Sequence, residues 1–267
     1  MHITPSDSYR GGGGAFFRNG PMGFPSPVNL SVSLLVVMSS TAFASPFVGS
    51  PREYALGIGA LGTAALMEQW PPNRSHPLIG GEQKPYIERE RVPDWALAGA
   101  HLVAIAAIRF SESPDRVRYA HGYGMAVALT QATTSLTKGI VGRKRPNEDA
   151  AVALGKSGKS RSFFSGHAST GFCLATYSSA YAWRASPKLE VRAGVPLATY
   201  GAATYAAWSR VAEHRHYPAD VIAGAAAGTA IGALVFRWYD GMEAGGRAGA
   251  SASVFPLPRG AAVSVAF

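Results

Sequence analysis

Cysteine is nearly absent. Cys173 is the only one, so no disulfide can staple this chain internally. Charge is also scarce. Asp, Glu, Lys and Arg make up 15% of the 267 residues, against roughly 25% in an ordinary soluble domain. A chain that is 47% hydrophobic with so little charge is not disordered as a whole. The 31 glycines and 18 prolines follow no Gly-X-Y period, which excludes a collagen-like rod, and no fixed-period internal repeat is present. Acidic residues are the rarer charge: 16 Asp+Glu against 25 Lys+Arg leave a net charge of +9. That excess favours an anionic partner, whether nucleic acid, lipid headgroup or phosphorylated substrate. What remains is a globular or membrane-embedded domain rich in small residues.

Residues 1–29 are rich in Gly, Pro and Ser and read as an unstructured leader. An apolar run from Leu30 to Phe43 follows and ends in Ala42-Phe43-Ala44, a small-x-small pattern suited to signal peptidase. Residues 1–44 are therefore read as leader and signal peptide, with an uncleaved membrane anchor as the alternative. Both readings export the chain, and one cysteine is compatible with an oxidising compartment.

Beyond residue 50 lie six apolar, Ala/Gly-rich segments: Tyr54–Trp70, Trp95–Phe110, Tyr119–Thr137, His167–Ala185, Ala193–Ser209 and Ala219–Trp238. Alanine and leucine favour helix, and the one proline inside a segment, Pro196, falls near a start. The fold expected is all-α, a six-helix bundle over residues 50–240, in which small residues let helices approach closely. The tail, 241–267, alternates small, β-branched and apolar residues about Pro258-Arg259-Gly260. It reads as a β-hairpin or as a disordered tail.

Chemistry-bearing residues concentrate in three clusters: Lys138 to Pro146, Ser162 to His167, and Ser209 to Asp220. Lys138, Arg145 and Arg210 are cations at the ends of apolar helices. They are suited to gripping a phosphate, or they form a solvated basic loop. Arg143, Lys144, Lys156 and Lys159 read as solvated surface charge. Ser165 and Gly166 open a helix, where backbone N–H groups and the dipole favour an anion. Ser165 read alone is equally an N-cap. His216 and Asp220 are four residues apart, so a helical turn brings them to one face. There a carboxylate can fix the tautomer of an attacking imidazole, although such a pair is usually a surface feature.

Taken together, the clusters read Lys-x6-Arg-Pro, Ser-Gly-His and Ser-Arg-x5-His-x3-Asp. This resembles the type 2 phosphatidic acid phosphatase (PAP2) and vanadium haloperoxidase superfamily. The matching residues are Lys138, Arg145, Pro146, Ser165, Gly166, His167, Ser209, Arg210, His216 and Asp220. One position departs: Phe164 stands where the family usually has proline. The resemblance implies a phosphatase acting on a phosphomonoester or a lipid phosphate or pyrophosphate. His216 would form a phosphohistidine and Asp220 would orient it. His167 would act as general acid and then base. Lys138, Arg145, Arg210 and the backbone of Ser165 and Gly166 would hold the phosphoryl oxygens. It implies no metal and no other cofactor. Only His216 has the required spacing, so His214 reads as a rim residue, and His2, His76, His101 and His121 carry no role. The alternatives are a vanadate-dependent haloperoxidase and a non-enzymatic binder of lipid or polyanion. Nucleic acid is not expected, because no recognised binding motif is present.

All five tryptophans lie near segment ends, as in an interfacial aromatic belt. The segments are short against the roughly 20 apolar residues of a membrane span. The reading is an exported domain of the periplasm or cell envelope, soluble or peripherally attached in preference to integral.

Overall fold

Helix start and stop signals set the architecture. A proline opens the first and last helices, Pro51 and Pro218, at a position where its missing N–H costs nothing. Gly142, with φ 59°, ends the longest central helix in the left-handed conformation and donates its N–H to the Lys138 carbonyl at 3.1 Å. The computed structural model describes residues 51–69, 81–156, 161–245, 251–257 and 260–266. Within them run α1 (Pro51–Gln69), α2 (Asp94–Arg109), α3 (Arg116–Val141), α4 (Glu148–Ala153), α5 (Gly166–Ala185), α6 (Leu189–Ala212) and α7 (Pro218–Gly245). Two strands follow, β1 (Ser251–Leu257) and β2 (Gly260–Ala266). The leader with its cleavage site, Trp70, His76 and Lys159 lie outside the described residues.

The all-α bundle is as expected, with three differences of detail. A short extra helix, α4, is seeded by Glu148 and Asp149 in its first turn. Helix α6 begins at Leu189, with Glu190 in its first turn, so Pro196 falls inside the helix and not near its start. Helix α7 continues to Gly245, into the stretch read as tail. Of the two readings of that tail, the hairpin is found. β1 and β2 pair antiparallel, from Ser251 opposite Ala266 to Leu257 opposite Gly260.

Helix α5 is packed by α7, α6 and α3, and α3 is also packed by α1, α7 and α2. The core holds Ile105, Ile108, Tyr119, Tyr123, Cys173, Tyr177, Phe236 and Tyr239. Tyr119, Tyr123 and Tyr177 bury large rings and still satisfy their hydroxyls. Tyr177 donates to the Tyr119 carbonyl at 2.9 Å and Tyr119 donates to Asp240 at 2.6 Å. The close approach of α7 to α5 depends on two glycines. A Cβ at Gly228 would overlap the Ser169 carbonyl oxygen, and one at Gly224 would stand 2.6 Å from that of Ser165. That contact fixes the start of α7 against the start of α5, which is where the candidate site lies.

The four described tryptophans, Trp95, Trp183, Trp208 and Trp238, are all exposed. So are Leu189 and Leu197 on α6. Among the described residues, Pro218–Gly241 of α7 is the one stretch long and apolar enough to cross a membrane.

Candidate active site

The last turn of α3 carries Lys138, a favourable end for a cation. Its Nζ lies against the start of α5: a Cβ added at Gly166 would be 3.3 Å from it. After the Gly142 turn the chain delivers Arg145 and Pro146. The Arg145 backbone N–H donates to the Glu148 carboxylate at 3.1 Å, which ties the loop to α4. Its guanidinium is desolvated and lies near the Arg210 and Arg215 cations, which lowers its pKa to about 10. It stays protonated at neutral pH. The Arg145 Nε is buried without a hydrogen-bond partner, and so is the Arg210 Nε. Two buried donors of this kind are costly unless an acceptor fills the space they face.

Helix α5 supplies the second wall. Ser165 is its N-cap, its Oγ accepting the Ala168 N–H at 3.4 Å. The Ser165 backbone N–H donates to the Asp220 carbonyl at 3.0 Å. The expectation that this N–H holds a phosphoryl oxygen is therefore corrected, since a neighbouring carbonyl already occupies it. Gly166 and His167, the next two residues, belong to the first helical turn, whose N–H groups lie beyond the reach of an intrahelical acceptor. Phe164, at the departing position, is buried. His167 is buried too, and its Nε2 lies 3.1 Å from the Val92 carbonyl and 3.5 Å from an Asp94 carboxylate oxygen.

The loop from α6 to α7 completes the site. Arg210 in the last turn of α6 is buried, as are His216 and Asp220. Asp220 is held on several sides. Ser162 Oγ donates to its Oδ2 at 2.5 Å, the Tyr217 N–H donates to the same oxygen at 2.9 Å, and Arg143 Nη1 lies 2.6 Å from Oδ1. The His216 Nδ1 lies 3.6 Å from Asp220 Oδ2 and 3.5 Å from Ser162 Oγ. The expected His–Asp pair is thus present, with a serine hydroxyl beside it, but His216 lies in the loop before α7 and does not share a helical face with Asp220. Burial alone would raise the Asp220 carboxyl. The neighbouring His216, Ser162 and Tyr217 N–H outweigh that and hold it below its ordinary value.

Both histidines are held towards the neutral form. Burial is the largest cause for each, and the same three cations, Lys138, Arg145 and Arg210, push both further down. His167 falls to about 3. His216 is lowered as well, against the opposing effect of Asp220. A cation field that acts on both rings means that the two imidazoles and the three cations share one locus.

Sequence reasoning missed three parts of this site. Arg143, read as solvated surface charge, is instead buried on Asp220, with its guanidinium 3.9 Å from the centre of the Tyr217 ring. Ser162 was within a recognised cluster but had no role. Glu213 also fell within a recognised cluster without a role, and it is fully buried. Lys144 and Lys156 are exposed, as expected, and His214 lies on the rim with its Nδ1 3.0 Å from the Pro85 carbonyl. His101 is structural, 2.6 Å from the Tyr123 hydroxyl.

Residues 119–242 match the PAP2 superfamily, a stretch that contains all eight candidate site residues. A PA-phosphatase related-family protein of Dictyostelium discoideum is 31% identical over 162 residues. That alignment takes in 54% of this chain and 59% of the relative, so under two thirds of the relative's length is spanned. The crystal structure of the first transmembrane PAP2 type phosphatidylglycerolphosphate phosphatase from Bacillus subtilis is also similar. It is 18% identical with a TM-score of 0.41, over 83% of this chain and 97% of that one.

Proposed function

We propose that this chain, whose residues 119–242 match the PAP2 superfamily, is a phosphatase of that family and hydrolyses a phosphate ester through a phosphohistidine at His216. One observation carries the reading: His216 is buried with its Nδ1 3.6 Å from the buried Asp220 carboxylate, in a site where the Arg145 and Arg210 Nε donors are buried without a partner. A neutral imidazole is the nucleophilic form. The Nδ1 of His216 is turned to Ser162 and Asp220, which leaves Nε2 for phosphorus. Nε2 bonds to phosphorus as the bond from phosphorus to the leaving oxygen breaks, and His167 gives that oxygen a proton. Water then attacks phosphorus, the P–N bond breaks, and His167 takes the proton that water loses. Asp220 offsets the positive charge on His216 while the intermediate lasts.

Lys138, Arg145 and Arg210 hold the phosphoryl oxygens as charge redistributes. Burial holds His167 in the neutral form and these cations add to it. The negative charge of a bound phosphate offsets the cations' share and favours a proton on His167 as the substrate binds.

The substrate is a phosphorylated lipid headgroup or a small phosphoester, and the protein associates with a membrane. Exposed tryptophans, the apolar exposed side chains of α6 and the apolar length of α7 support that association. Residues 1–44, as an export leader, would deliver residues 50–240 to the cell envelope or periplasm. The test is phosphate release from phosphatidic acid, a lipid pyrophosphate and an aryl phosphate in the presence of EDTA. Wild type is expected to be active on at least one, and His216→Ala inactive on all. Full activity in His216→Ala would refute the nucleophile.

A further inference from the structure

Residues 81–93 form neither helix nor strand, lie outside the stretch that matches the family, and are tied to the loops that carry the site. Gln83 Nε2 donates to the Arg145 carbonyl at 3.1 Å, and the Lys84 N–H donates to the Pro146 carbonyl at 2.5 Å. The Tyr217 hydroxyl donates to the Glu82 carbonyl at 3.0 Å. The far end of this strap reaches the phosphate grip itself. Glu90 Oε1 lies 2.8 Å from Arg210 Nη1, and the Val92 carbonyl lies beside both that nitrogen (3.4 Å) and His167 Nε2 (3.1 Å).

The strap is fastened by Glu213. This side chain is 0% exposed, and the reaction above gives it no step. Its Oε1 accepts the Arg91 N–H at 2.6 Å. Its Oε2 lies 3.3 Å from Arg210 Nη1 and 3.4 Å from Arg215 Nε. A carboxylate this deeply buried persists only where its charge is paired. A guanidinium is planar, so holding one terminal nitrogen at the end of a packed stem fixes the plane of the whole fork. Here Nη1 is occupied by Glu90, Glu213 and Val92, while Nε is buried without a partner.

We propose that Glu213 is a positioning residue. It holds Arg210 by Nη1 so that the rest of the fork faces the phosphoryl group, and it anchors the strap whose Val92 carbonyl orients His167. This rests on Arg210 being a phosphate ligand. The division of labour follows from the geometry: Glu213 touches no substrate and acts through Arg210.

Glu213→Gln keeps the shape and removes the charge. With p-nitrophenyl phosphate as substrate and orthovanadate as competitive inhibitor, KM and the vanadate inhibition constant are expected to rise about tenfold or more, with a smaller fall in kcat. Glu213→Asp, which restores the charge, should recover part of the loss. A purely structural role would lower the melting temperature and multiply independently with Arg210→Gln. Positioning predicts that Glu213→Gln adds less than about threefold once Arg210→Gln is present. Wild-type KM and vanadate inhibition in Glu213→Gln, or full multiplication in the double variant, would overturn the proposal. If Glu213→Gln does not fold, Glu90→Gln removes the second carboxylate from the same nitrogen, and unchanged constants there would overturn it equally. A wild-type chain that neither turns over the ester nor binds vanadate would instead overturn the phosphatase reading, and this inference with it.

Discussion

Replacing Arg143 by methionine removes a buried cation while keeping most of its apolar stem. The guanidinium lies 2.6 Å from an Asp220 oxygen, and the two side chains are 8% and 0% exposed. Removing one partner of a buried pair leaves the other charge uncompensated, at a cost of about 3–5 kcal/mol. Asp220 keeps two other donors, Ser162 Oγ and the Tyr217 N–H, so the lower end applies, about 3 kcal/mol. For a domain of this size that is roughly a 6–12 °C fall in melting temperature. The lost contact with the Tyr217 ring acts in the same direction. Activity should fall too, because Asp220 is the carboxylate beside the nucleophile. A kcat lower by about tenfold, or roughly 1.4 kcal/mol, is expected with little change in KM. The assay pairs thermal melting followed by tryptophan fluorescence with phosphate release. Arg143→Met/Asp220→Asn removes both charges and should regain most of the stability while staying inactive. An Arg143→Met variant that melts within about 2 °C of wild type and keeps its kcat would refute the argument, since a 3 kcal/mol loss is inconsistent with both results.

The remaining predictions follow from the same geometry. His167, held at about 3 in the fold against 6.5 when unfolded, binds its proton more readily in the unfolded chain. Stability should therefore fall as pH drops from 6.5 towards 3, at up to about 1.4 kcal/mol per pH unit. His167→Gln should flatten that slope, and an unchanged slope would show that the ring is not buried neutral. Vanadate binding should take up a proton near pH 7 in wild type and not in His167→Gln, measured by calorimetry in buffers of different ionisation enthalpy. Gly228→Ala should push α7 off α5 and cost about 3 kcal/mol or more, because its Cβ would meet the Ser169 backbone rather than a movable side chain. Normal melting of that variant would mean that the two helices are not packed as described. Gly166→Ala meets the far end of a flexible lysine, so it should fold normally and weaken phosphate affinity several-fold by displacing Lys138.

The bundle was legible because its signal is local. Alanine-rich stretches declare helix one by one, even α6 with Pro196 inside it, and Ser165 marks a start by cap chemistry that it carries itself. The motif residues were legible through the resemblance that their combination carries, since the four-residue spacing of His216 and Asp220 says little alone. His216 lies in the loop just before α7 and Asp220 in its first turn, so the loop, and not a shared helical turn, brings them together.

What the sequence concealed is long-range. Arg143 and Asp220 are 77 positions apart, Glu90 and Arg210 are 120 apart, and Arg91 and Glu213 are 122 apart. No periodicity in 81–93 announces a partner, since the strap is held through its backbone and through carboxylates that look solvated in any local window. Arg143 was misread for the same reason. Beside Lys144 and Arg145 it reads as one member of a basic run, and charge runs usually face water. The fold divides that run. Lys144 is exposed, paired with Asp149 at 3.2 Å, whereas Arg143 is buried with a carboxylate. A cation in a basic run is thus sorted between solvent, substrate and scaffold by which carboxylate the tertiary structure brings to it. In this chain the sorting leaves the Arg145 Nε buried without a partner, sets Arg143 on Asp220, and leaves Lys144 exposed beside Asp149. The electrostatic design of the site follows. Glu90, Glu213 and Asp220 are each paired with an arginine, and Asp94 lies beside His167. The buried Nε groups of Arg145 and Arg210 are left to meet an anion that the chain itself does not supply.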